Sequence, residues 1–180
     1  MDRCDGRHDE IAAQQPDTCR LAARKDGETH HGDCRNGFQP GGAAEAKEIV
    51  RRFYEEVISR CELECVGEYI SPDCIVRIGD DAQLVGVEGM RAHIAATKET
   101  YPDYTMRIIR QMQDGDTVIS EFIMTGTHSG VYLGIAPTGK VISITGVDID
   151  TLADGKITEH GGAANTFEAF FENGLVKPVT

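Results

Sequence analysis

Asp148 stands in Lys140–Leu152, a run of β-branched and apolar residues that also carries Asp150. Burying an unpaired carboxylate in such a run costs several kcal/mol. The side chain must therefore be partnered, protonated or turned towards a wet cavity. In an apolar cavity its pKa would rise, which suits a general acid or base. Facing solvent or pairing across a sheet is the alternative, and the sequence leaves both open. His128 ends the preceding apolar run, just before Ser129-Gly130. At the mouth of a cavity it would donate to a substrate oxygen; otherwise it would hold a loop through the backbone. Glu159 and His160 are adjacent, so on a strand they face opposite ways and one of them points inward. Tyr54 and Tyr69 fit core positions, and His93 reads as an exposed or satisfied histidine.

The remaining chemistry is limited. No phosphate-cradling glycine loop, nucleophile elbow or HExxH helix occurs, so no nucleotide, flavin or catalytic zinc is expected. The six cysteines form no CxxC pair and no tight Cys/His cluster, which argues against structural zinc. Cys61 and Cys65 sit four apart on an expected helix and share a face, reading as small apolar side chains in the reduced state. Thirty acidic residues against eighteen basic ones give a formal charge of −12. Such a chain repels phosphate backbones and anionic lipid, so neither nucleic acid nor membrane is an expected partner. No eighteen-residue apolar stretch is present to span a bilayer. Met1–Asp5 has no apolar core behind its charges, so no secretory signal is expected and the cytoplasm is the expected location.

The elements that must position these groups begin near residue 44. Residues 1–43 mix Asp, Arg, Gly, Gln and His without a helical or strand period. They cannot bury enough surface to offset about 1–2 kcal/mol of backbone entropy per residue, and are expected to form a disordered polar tail. Residues 44–180 form the expected single domain. Ile49, Val50, Phe53, Tyr54, Val57 and Ile58 recur at helical spacing. Leu63, Val66 and Ile70 mark a second, shorter helix that stops before Pro72. A short β-rich run follows at Cys74–Ile78. A third helix carries Met90, His93, Ile94 and Thr97 and ends near Tyr101-Pro102-Asp103. Strands are expected at Tyr104–Met112, Thr117–His128, Lys140–Leu152 and Lys156–Phe167. Turns at Asp114-Gly115-Asp116 and Asp154-Gly155 and a loop from Ser129 to Gly139 join them. Three helices followed by long antiparallel strands give an α+β layout: a strongly bent, mainly antiparallel sheet wrapped around the helices as a cone-shaped barrel. A cone open at one end is already a pocket.

Several ordered motifs carry a resemblance. Gly126-Thr127-His128-Ser129-Gly130 is followed by Leu133-Gly134-Ile135-Ala136-Pro137-Thr138-Gly139-Lys140, Gly146-Val147-Asp148, Asp154-Gly155-Lys156-Ile157 and Glu159-His160. With Glu48–Arg52 and Glu68–Asp73, they resemble the SnoaL-like polyketide cyclases over about residues 46–165. The resemblance implies the cone of the nuclear-transport-factor-2-like superfamily. It also implies a cofactor-independent acid–base enzyme acting on a hydrophobic, carbonyl-containing small molecule. The reaction would be an aldol-type ring closure, or a related isomerisation or hydrolysis; a non-catalytic binding protein of the same fold is the alternative. A homodimer is implied by analogy. The family's usual acid follows the Glu-His pair, where this chain reads Gly161-Gly162, so that carboxylate is absent. The two glycines would leave the cavity deeper there. Asp148 matches the Asp of the family's GxD strand and is the remaining acid–base candidate, with His128 or His160 as oxyanion donor. Tyr54, Met124, Gly162 and Asn165 are the expected substrate-binding residues.

Overall fold

The computed structural model describes residues 43–177. The expected tail, residues 1–43, lies almost wholly outside the described residues. Helix α1 (Ala43–Arg52) runs directly into a π-helical segment, Phe53–Ile58. Together they bury the stripe Ile49, Val50, Phe53, Tyr54, Val57 and Ile58, as the spacing predicts. A 3-10 turn (Leu63–Cys65) leads into the short helix α2 (Val66–Tyr69), and strand β1 (Ile70–Ile78) starts at once. Strand β2 (Asp81–Leu84) and helix α3 (Gly86–Thr100) follow. The main sheet is then built by β3 (Thr105–Asp114), β4 (Thr117–Thr127), β5 (Val141–Ala153) and β6 (Lys156–Ala164), and the described chain closes with helix α4 (Thr166–Glu172).

The six strands form one curved, unclosed sheet in the order β2-β1-β6-β5-β4-β3. Only β1 and β6 pair in parallel; the other neighbours are antiparallel. This is the expected α+β cone. Three details differ from the sequence reading. β2 has four exposed residues and no apolar alternation to announce it. β1 begins at Ile70, because the chain is already extended before Pro72. The last strand ends at Ala164, and residues 166–172 are helical, burying Ala169 and Phe170. Cys74 is a buried free thiol, but Cys61 and Cys65 are disulfide-bonded, against the expected reduced state. Cysteine spacing fixes neither partner nor redox state.

Two polar fastenings seat the helices on the sheet. β3 carries an irregularity between Ile108 and Arg110, and the Ile108 N–H donates to Glu55 Oε1 at 2.8 Å. Lys98 is buried, and its Nζ donates to Ser59 O at 2.7 Å and Tyr104 O at 2.8 Å. It thereby ties α3 to the end of the π-helical segment and to the start of β3. No helix among the described residues is long and apolar enough to cross a membrane.

Candidate functional site

Strand alternation decides which groups face the hollow. On β5 the even positions Ile142, Ile144, Asp150 and Leu152 are buried, whereas Val141, Val147 and Ile149 are exposed. Asp148 shares the even, inward parity. On β6 the cross-strand partners of Asp148 and Asp150 are Gly162 and His160. His160 therefore turns inward, and Glu159 turns outward to an ion pair with Arg77 at 2.5 Å.

The inward groups meet the π-helical segment. Tyr54 Oη donates to Asp150 Oδ2 at 2.7 Å, and His160 Nδ1 lies 2.9 Å from Asp150 Oδ1. Tyr54 Oη also lies 3.4 Å from His160 Nδ1. Asp150 is fully buried, so its charge is answered by Tyr54 and His160 rather than by water. With Nδ1 engaged, Nε2 is the His160 nitrogen left for a ligand. The ring lines a cavity of about 270 Å³, and so does Asp148. The rest of that wall is mostly apolar or aromatic, including Tyr101, Tyr104, Phe122, Met124 and Tyr132. Gly146 permits this packing: a Cβ there would lie 2.4 Å from Phe122 Cζ.

The electrostatics separate the two titrating groups. Burial pushes the Asp148 carboxyl up to about 6; the His160 charge opposes this, Asp150 adds to it and a hydrogen-bonding pull from Tyr54 opposes it. Burial alone would lower the His160 pKa, but the hydrogen bond and charge of Asp150, with the charge of Asp148, raise it above the ordinary value. Tyr54 is held well above its ordinary value by burial and by both carboxylates. The site thus sets a carboxyl of weakened acidity beside a histidine whose protonated form is favoured, a base and a hydrogen-bond donor side by side.

The expected residues divide. Asp148, His160, Tyr54 and Met124 line the cavity together. His128 does not. It is fully buried, its Nδ1 lies 3.1 Å from Thr138 Oγ1, and its backbone carbonyl accepts from Thr138 and Gly139, so it holds the loop. Asn165 precedes α4, hydrogen-bonds Glu168 and is not a lining residue, although Ala164 and Thr166 are. Gly162 does not deepen the cavity. A Cβ there would lie 2.3 Å from Asp148 Oδ1 and 2.4 Å from Val147 O, so the Asp148 carboxyl and the β5 backbone take the space. Two groups were missed in the sequence reading: Asp150, fully buried behind the cavity wall, and His93, which lines it. Asp150 shares its parity with Asp148 and is register-paired with His160; that parity was the available signal. His93 lines the cavity with Ile94, Thr97 and Tyr101, and this spacing on one helix face was the signal there. No group of three or more potential metal-ligating side chains is found among the described residues.

The comparisons agree with this fold. The family model described as SnoaL-like polyketide cyclase matches residues 48–170. AclR from Streptomyces galilaeus, described as a candidate hydroxylase, is similar with 24% identity and a TM-score of 0.67, over 77% of this chain and 91% of that one. IdmH from Streptomyces antibioticus, described as a candidate polyketide cyclase, has 26% identity and a TM-score of 0.63, over 72% and 98%. A SnoaL-like protein from Jannaschia sp. CCS1 has 22% identity and a TM-score of 0.66, over 79% and 100%. No curated protein matches. The chain belongs to the SnoaL-like polyketide cyclase family.

Proposed function

We propose that the protein is an acid–base enzyme that closes a ring in a hydrophobic, carbonyl-containing small molecule by an aldol-type step. One observation carries the reading: Tyr54 and His160 line one apolar cavity with Asp148, and the buried Asp150 joins the phenol and the imidazole by hydrogen bonds. Asp148 removes a proton from carbon next to a carbonyl. The His160 Nε2–H stabilises the enolate oxygen, and Asp150, clamped by Tyr54, holds the imidazole charged and oriented. The enolate carbon attacks a second carbonyl carbon, and the resulting alkoxide takes up a proton. Every proton passes through a side chain or water, so the scheme needs no metal or organic cofactor. A homodimer is part of the proposal.

The test is turnover of ketone substrates by wild type and Asp148→Asn. The substitution is expected to lower kcat by about 10²–10⁴-fold while ligand binding persists. The wild-type kcat/KM is expected to rise with pH through about 6 as Asp148 ionises. It should fall again as His160 loses its proton above the ordinary histidine value. A ligand taken up and recovered unchanged from both proteins would instead favour the binding-protein reading.

A further inference from the structure

An aldol closure needs two carbonyl groups, and the Asp148–His160 pair on the sheet serves only the one that enolises. His93 lies on the other wall. It projects from α3, one residue before the buried Ile94 and four before Thr97, and all three line the cavity. Its imidazole has no hydrogen-bond partner among the described residues. It is exposed, yet that surface lies in the concave wall, where protein still crowds it. The titratable groups that share the cavity with it are Asp148 and His160 from the sheet, Tyr54 from the π-helical segment, and Tyr101, Tyr104 and Tyr132. A polar, unpartnered ring set in an apolar wall is a place where a ligand oxygen would be held.

We propose that His93 binds the oxygen of the second, electrophilic carbonyl, so that the substrate is a dicarbonyl compound lying across the cavity from the sheet to α3. This rests on the aldol reading above. Burial and the nearby His160 charge keep the His93 pKa below its ordinary value. The neutral form is therefore favoured at pH 7, and the ring donates a hydrogen bond without adding positive charge to the cavity. The step balances. Asp148 takes the α-proton, and the C–H electron pair becomes the enolate. The α-carbon bonds to the second carbonyl carbon, whose π pair moves to oxygen. That alkoxide, held by the His93 N–H, takes a proton from water at the open end, and Asp148 returns its proton to water. The net change is an isomerisation with no redox partner.

The experiment compares the affinity of an aryl 1,5-diketone with that of the matching monoketone, by calorimetry, in wild type, His93→Phe and His93→Gln. One hydrogen bond is worth about a five- to tenfold preference for the diketone in wild type. His93→Phe should lose that preference while binding the monoketone as before. His93→Gln, which keeps an N–H donor, should retain most of it. Equal affinity of wild type for the two ketones, or a preference that survives in His93→Phe, overturns the proposal. Deuterium exchange at the α-carbon of the monoketone, seen by NMR and lost in Asp148→Asn, tests the underlying acid–base reading separately. That reading can fail while the His93 preference stands, and the reverse also holds.

Discussion

Asp148 and Asp150 are two residues apart on one strand face, and their surroundings give them different work. Asp150 has a hydroxyl and an imidazole against its oxygens and no exposure. Asp148 meets Gly162 across the strands and the open cavity. Burial pushes the Asp148 carboxyl up from 3.8 to about 6. The sign of the consequence for stability follows from proton binding. Folded Asp148 keeps its proton up to about 6, whereas the unfolded chain releases it near the ordinary value. The folded state therefore holds more protons in between, and this group's contribution to stability falls as pH rises through that window. A shift of this size corresponds to roughly 2–3 kcal/mol. Asp148→Asn is therefore expected to melt higher than wild type at pH 8, with the gap closing near pH 4. Thermal melts at both pH values check this, and a variant that melts lower at pH 8 would contradict it.

The helices and hairpins were largely legible because their signals are local. The stripe from Ile49 to Ile58 has helical spacing, and Asp154-Gly155 supplies two left-handed residues in succession, with φ of 50° and 71°, as a tight hairpin requires. What joins the elements was not legible. Glu55 caps an irregularity in β3, and Lys98 spans α3, the end of the π-helical segment and β3, so each depends on residues distant in the chain. The same holds for the site. His93 looks like any surface histidine until α3 is set against the sheet. Lys98 offers a test at this scale. Burial lowers its pKa, with the Asp103 charge opposing, and two backbone carbonyls take its protons. Lys98→Met would leave both carbonyls short of a donor and is expected to cost about 2–4 kcal/mol. Urea unfolding should show a lower midpoint with an unchanged slope.

At the scale of the whole molecule the sheet has two different faces. The inner one holds the cavity. On the outer one Met112, Ile119 and Ile149 stand side by side across β3, β4 and β5, with Val147 one row away, and three of these four are exposed. The Arg110–Glu121 ion pair, at 2.5 Å, borders them. The order of the elements pointed to a hollow α+β domain, but not to which parity of β5 would face outward, since both parities mix apolar and polar residues. The proposed homodimer would cover this face. Sedimentation is expected to give the mass of two chains for wild type and of one chain for Ile149→Arg, because a desolvated charge there would face its own copy across the twofold axis. A wild-type monomer would remove the dimer and leave the cavity reading untouched.

The π-helical segment Phe53–Ile58 winds wider than an ordinary helix, and Tyr54 sits within it. Excising one residue there would let the backbone relax to regular winding and swing the neighbouring side chains by about 100°. The phenol would then leave Asp150 without its clamp, although no hydrophobic residue need be lost. Segment length at this point, independent of composition, sets whether the His160 imidazole stays aligned.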